Sequence, residues 1–284
     1  MRYVPAPTKT RHRGRIKPHS VLPTLLFLPG TLCDRRVWHE THRQLDCAWP
    51  CVFVDYRYQT SIVAMAEKAL ADVEGAVIPI GVSMGAIVAL EIWRQAARRV
   101  VALALFDTDP SADTPERRNR RDAQLLAMTS GNFREVVRSQ LLPGYFSATQ
   151  PPDQHAENTV MAMAVEHGAQ AFAAQSRALT SRPNGWPLLR QITVPTLVAC
   201  GADDRICRPE IHEAMASTIP EAFVTYRTIA NAGHLSPLAQ PKAVASLLQA
   251  WLAGMVIRQP CAPEINVRPT GFNLPAIASA PDSH

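Results

Sequence analysis

The sequence predicts an α/β fold: a mostly parallel, doubly wound sheet with an all-helical lid inserted after the fourth strand. Three observations lead there. Strand-length apolar runs alternate with longer amphipathic stretches, the pattern of a parallel sheet covered by helices on both faces. The interval from about 110 to 190 breaks that alternation and offers only helical patterns punctuated by Pro and Gly. A serine between glycines stands where a strand gives way to a helix, in "PIGVSMGAIVALE" at 79–91.

The elements follow in order. The runs at 24–28 (TLLFL), 51–55 (CVFVD), 76–80 (AVIPI), 100–106 (VVALALF), 195–200 (PTLVAC) and 222–229 (AFVTYRTI) read as strands. Helical patterns fall near 35–46, 61–73, 84–97, 209–218 and 241–253. Within the insert, Thr114, Pro115 and Glu116 combine an N-cap, a first-position proline and an early acid, so a helix starts there. The stretch "TSGNFREVV" places one helix end near Gly131 and another start soon after. The expected organisation is a basic arm at 1–20, core at 21–109, lid at 110–190, core again at 191–254 and a Pro-rich tail at 255–284. Arm and tail lack periodicity and are expected to be disordered.

Composition narrows the function classes. The chain has 284 residues, 47% of them hydrophobic, which is enough for a sizeable core. Its formal charge of +5 gathers in the arm, at Arg2, Lys9, Arg11, Arg13, Arg15 and Lys17. Without the arm the chain is near neutral, which gives a nucleic-acid partner little support. The six cysteines (Cys33, Cys47, Cys51, Cys200, Cys207 and Cys261) form no CxxC pair and read as reduced thiols, so neither a disulfide framework nor a zinc site is expected. The segment "VLPTLLFLPG" behind the arm imitates a signal sequence, but its prolines and the lack of an A-x-A-like site argue against export. A cytoplasmic location is expected, and no run is long enough to span a membrane.

The chemistry centres on Ser83. A G-x-S-x-G turn between strand and helix holds a nucleophile in an unfavourable backbone conformation, and the flanking glycines relieve crowding. A serine hydroxyl needs a base to take its proton and a carboxylate to orient that base. Of nine histidines, only His234, in "NAGHLSPLAQP", lies on a loop between a late strand and the final helix. His12 and His19 sit in the arm, His284 at the terminus, and His39, His42, His155, His167 and His212 in helical stretches with ordinary surface patterns. Three carboxylates compete for the third place: Asp203 and Asp204 in "GADD", and Asp107, with Asp109 close behind, after the fourth strand. An oxyanion site needs two converging N–H donors. Met84 supplies one at a helix N-terminus, and the turn at Pro29-Gly30 presents Thr31 or Leu32 for the other.

Taken in this order, "LPGTLCD", "GVSMG", "GADD" and "GHLSP" resemble the motifs of the α/β-hydrolase family, in its lid-bearing esterase and lactonase branch, over roughly residues 22–254. The resemblance implies Ser83 as nucleophile, Asp204 as acid, by its place three positions after Gly201, and His234 as base. It further implies hydrolysis of a small ester or lactone through an acyl-enzyme, with no metal or organic cofactor and no membrane partner. Two departures stand out: Pro29-Gly30 replaces the family's His-Gly, and the usual antiparallel hairpin before the first parallel strand is missing unless the arm forms it, so a sheet shorter at that edge is expected. The same triad also serves acyltransferases, carbon–carbon bond hydrolases and slow-turnover ligand-binding proteins.

In the lid, "ERRNRRD" groups Arg117, Arg118, Arg120 and Arg121. It reads first as a solvated helix face, and more sharply as a cationic guard that draws acidic substrates. The stretch "VMAMAVEHGAQAFAA" carries Met161, Met163 and Phe172, residues that serve packing as readily as a pocket. Trp38, Met161 and Phe172 are the expected substrate-binding residues, for a modest-sized substrate with an apolar part.

Overall fold

The computed structural model describes residues 22–258 apart from 47, 72, 151 and 152. The arm at 1–20 and the tail beyond Arg258 lie outside the described residues. Strands β1 (Thr24–Leu28), β2 (Cys51–Phe53), β3 (Val77–Val82), β4 (Leu103–Phe106), β5 (Thr196–Gly201) and β6 (Val224–Ile229) form one sheet in the order β2-β1-β3-β4-β5-β6. Every pairing in it is parallel. Among the described residues no strand precedes β1, and β2 forms that edge.

The β1 side chains show why the runs read as continuous rather than alternating. Leu26 and Leu28 pack on one face with Met65, Val88 and Met215, while Leu25 and Phe27 pack on the other with Val37, Trp38 and Leu248. Both faces of a parallel sheet are covered, so every position of its inner strands is apolar. Helices α1 (Arg36–Arg43), α2 (Ile62–Ala71) and α3 (Met84–Ala96) connect the first four strands.

After β4 comes the helical insert. Its first helix, α4 (Pro115–Ala127), begins at the expected cap: the Thr114 hydroxyl accepts the Arg117 N–H at 3.3 Å. Short helices α5 (Phe133–Val136) and α6 (Leu142–Tyr145) follow, joined by wide π-helical turns at Met128–Asn132 and Val137–Leu141. Near Gly131, where one helix is expected to end and another to begin, the chain bends at φ 100°. Then comes α7 (Gln154–Thr180), bent at Gly168, and α8 (Trp186–Leu189) leads back to the sheet. The insert has a small apolar core of its own, in which Met128, Val137, Met161, Ala164 and Phe172 meet Leu32 from the sheet edge.

The chain ends with α9 (Pro209–Thr218) between β5 and β6, then α10 (Ser236–Ala239) and α11 (Pro241–Arg258). The last helix overruns the expected boundary: 255–258 are helical rather than part of the tail. After Pro241 the next helix-breaking proline is Pro260, so nothing in the sequence stops the helix at Met255.

The order of the strands positions the site. From β1 the chain moves outward to β2, then crosses back to lay β3 on the other side of β1. Loops leaving β1 and β3 therefore diverge, and a crevice opens at their C-terminal ends, the place where ligands sit in open parallel sheets.

Candidate active site

Ser83 occupies the turn between β3 and α3 with φ 55° and ψ −119°. Such a conformation costs a non-glycine residue about 1–3 kcal/mol and persists only where its surroundings hold it. The Ser83 N–H donates to the Phe106 carbonyl at 2.9 Å, and its carbonyl accepts from the Ala86 N–H and the Thr108 hydroxyl. The two glycines of the motif are steric necessities: a Cβ on Gly81 would lie 2.3 Å from the Gly85 backbone, and one on Gly85 would lie 2.2 Å from the Leu28 carbonyl oxygen.

The expected partners converge on this serine from two loops. Ser83 Oγ lies 2.8 Å from His234 Nε2, and His234 Nδ1 lies 2.9 Å from Asp204 Oδ2. The other Asp204 oxygen accepts the Ile206 and Cys207 N–H groups, which fix the carboxylate. Burial works against charge on both partners, yet they sustain each other. Desolvation alone would depress His234, but the Asp204 carboxylate holds its pKa well above the ordinary imidazole value. Desolvation would raise Asp204, but His234 and the two loop N–H groups hold it below the usual carboxylate range.

The rival acids are engaged elsewhere. Asp203 Oδ2 accepts the Ser147 hydroxyl at 2.6 Å and so ties the lid to the β5 loop. Asp107, fully buried, accepts from the Gly201 N–H and from both the N–H and hydroxyl of Ser236. Burial, reinforced by the charge of Asp204, pushes its pKa up to about 7.

Of the expected oxyanion donors, Met84 and Thr31 line the cleft, and among the described residues neither N–H has an acceptor. The expectation for Leu32 fails, because its N–H is already bound to the Gln175 side chain of α7 at 2.8 Å. Behind this loop, the buried Tyr56 hydroxyl donates to the Pro29 carbonyl and holds the turn.

The cleft has a volume of about 290 Å³, at the small end of ligand pockets, which run from about 300 to 1,000 Å³. Phe172 lines it, and Tyr145 stacks against His234 with ring centroids 6.1 Å apart. Two expected substrate-binding residues are misplaced. Trp38 is fully buried beneath the sheet, between Phe27 and Phe106, with its indole N–H on the Leu28 carbonyl. Met161 packs inside the lid and does not line the cleft. An apolar side chain on an amphipathic helix looks the same in sequence whether it faces a core or a pocket.

His212 has a supporting role that its sequence pattern does not reveal. His212, expected on a helix surface, is fully buried, and its Nε2 accepts the Thr108 N–H at 2.8 Å. Burial lowers its pKa to about 4, so it stays neutral and braces the loop that supports Ser83. The lid arginines Arg117, Arg120 and Arg121, with Gln124, line the cleft, whereas Arg118 does not. Their spacing of i, i+3, i+4 and i+7 is one helix face, a signal present in the sequence but without a known direction. Arg182 and Arg205 complete the wall from outside α4.

Asp204, Cys207 and His234 offer metal-ligand atoms within 4.8 Å of one another. Both imidazole nitrogens already face Ser83 and Asp204, so a metal here would have to break that chain. Burial pushes the Cys207 thiol up, away from the thiolate a metal needs.

A family model, the alpha/beta hydrolase family, matches residues 25–247. The chain belongs to the α/β hydrolase family. Among solved structures, this α/β hydrolase is similar to a malate-bound thermophilic esterase from Thermogutta terrifontis, at 27% identity and a TM-score of 0.74 over 82% of this chain and 90% of that one. It also resembles an esterase from Exiguobacterium antarcticum, at 18% identity and TM-score 0.71 over 81% and 92%. A third likeness is to MenH from S. aureus, at 21% identity and TM-score 0.70 over 82% and 94%. The last two establish a shared fold alone. No curated protein matches the chain. Among the described residues, no helix of this α/β hydrolase is long and apolar enough to cross a membrane.

Proposed function

We propose that the chain is a serine hydrolase that cleaves a small carboxylic ester or lactone through an acyl-enzyme. The observation that carries this reading is the unbroken hydrogen-bonded chain from Ser83 through His234 to Asp204 at the floor of a cleft. Ser83 Oγ attacks the substrate carbonyl carbon while His234 Nε2 takes its proton, and the carbonyl oxygen becomes an oxyanion between the N–H groups of Met84 and Thr31. Collapse of that intermediate expels the alcohol, which receives the proton from His234. Water, deprotonated by the same nitrogen, then attacks the acyl-enzyme and releases the acid and Ser83. Asp204 holds the imidazole with Nε2 toward the serine and stabilises the imidazolium.

The esterase likeness at 27% identity supports the ester as the bond attacked. Ser83→Ala is expected to abolish turnover of short-chain p-nitrophenyl esters while circular dichroism and melting temperature stay those of a folded protein. A folded variant with unchanged turnover would refute the proposal.

A further inference from the structure

We infer that this cleft selects an ester that carries a carboxylate elsewhere in the molecule. The inference rests on the hydrolase reading for the reaction, and on the charge of the cleft wall for the substrate. Five guanidinium groups line the space above Ser83: Arg117, Arg120 and Arg121 from α4, Arg182 after α7, and Arg205 beside Asp204. Two carboxylates answer them. Asp109 pairs with Arg117 at 2.5 Å, and Asp113 pairs with Arg121 at 2.6 Å and Arg182 at 2.8 Å. Among the described residues, neither Arg120 nor Arg205 has a carboxylate partner.

A solvated helix face would have scattered the α4 arginines, but three of the four meet in the cleft, against the lip from which Arg205 projects. Arg182 is almost wholly buried. Burial, together with the charges of Arg121 and Arg117, pulls it below the ordinary guanidinium value despite Asp113. This wall therefore holds more positive charge than its own acids neutralise, in a small cleft whose protein walls focus the field. A guanidinium fork matches a carboxylate with two parallel hydrogen bonds, and a neutral ester would leave that capacity unused. The cleft volume of about 290 Å³ suits a short diacid half-ester.

The test compares the mono-4-nitrophenyl ester of adipic acid with its methyl-capped, neutral counterpart, two esters with the same leaving group and chain. At low ionic strength the anionic ester is expected to show kcat/KM about tenfold higher or more, a preference that shrinks as salt screens the wall. Arg120→Gln and Arg205→Gln, both at exposed positions, are expected to lower the anionic-to-neutral ratio about fivefold each. Equal rates, or a preference for the neutral ester, would overturn the inference and leave the hydrolase reading standing. If neither ester turns over, calorimetry of Ser83→Ala with adipate decides. Salt-sensitive binding weakened by Arg205→Gln supports the anion site and refutes hydrolysis, whereas no binding refutes both.

Discussion

At the sheet edge, the cleft is held by backbone packed against backbone; in the lid, by the face of a helix. Gly85 and Gly168 make the contrast concrete. Gly85 is glycine because the Leu28 and Pro29 carbonyls leave no room for a Cβ. Gly168 has open space around it and is glycine because α7 bends there, at φ 69° and ψ 179°. Steric closeness at the edge dictates residue type and spacing, and so leaves motifs. A bend in the lid dictates only that the chain turns, and leaves the neighbouring side chains without a motif. The proposed reaction draws on the sheet edge and the proposed substrate choice mostly on the lid, with Arg205 beside Asp204 the exception, and the two regions are joined by a few bonds such as Gln175 to Leu32 and Ser147 to Asp203.

Substitutions can break or sharpen that division. The largest effect is expected from Asp204→Asn, which should lower kcat about 10⁴-fold by presenting the wrong imidazole tautomer. Asp203→Asn touches only the tie to the lid and should cost under about tenfold, a difference that falls within the lid's share. Steady-state kinetics of the two variants checks the ordering, and its reversal would move the acid role to Asp203.

The pH profile follows with the same residues. His234 must be neutral to take the proton, and Asp204 holds its pKa well above 6.5 despite the depressing effect of burial. Activity should therefore rise with pH through a midpoint above 6.5 and fall about tenfold per unit below it. In Asp204→Asn the raising charge is gone and burial prevails, so the residual activity should titrate at lower pH. A flat profile from pH 5 to 8 would count against His234 as the base.

Glycine substitutions test the contrast itself. Gly85→Ala should destabilise the fold by about 3 kcal/mol or more, since backbone on both sides must move. Gly168→Ala meets no neighbour and should cost only the conformational strain, about 1–3 kcal/mol, with esterase activity surviving. Denaturant unfolding measures both, and a larger loss at Gly168 would invert the account of the two regions. The smallest effect on activity is expected at Trp38→Phe. It should lower stability by about 1–3 kcal/mol, through the lost Leu28 bond and the space the smaller ring leaves, and leave KM unchanged, because the ring lies in the core and not in the cleft.

The sheet was legible because strands buried on both faces must be apolar throughout, and its elements fall within a few residues of the runs that predict them. The edges of those runs misled for local reasons. Val100 makes only an isolated bridge to Val77 before regular pairing begins at Leu103, against β5, and β2, at the sheet edge, ends at Phe53. Ser83 and His234 were legible because each stands on a loop that glycines and chain order mark out, whereas only the family resemblance separated Asp204 from Asp203 and Asp107. Trp38 and Met161 were misread because amphipathic periodicity marks a buried face without saying what it is buried against. Arg182, Arg205, Gln175 and His212 left no trace, since each reaches the site only through the way the lid and α9 come to lie over the sheet.

The most direct test of the central claim is to trap the acyl-enzyme. Protein mixed with a stoichiometric p-nitrophenyl ester and quenched within the first turnover is digested and examined by mass spectrometry. The account predicts one acyl group, carried on the peptide that contains Ser83 and absent from Ser83→Ala. Continued ester turnover with no adduct at Ser83, or with the acyl group on Cys207 instead, would contradict it.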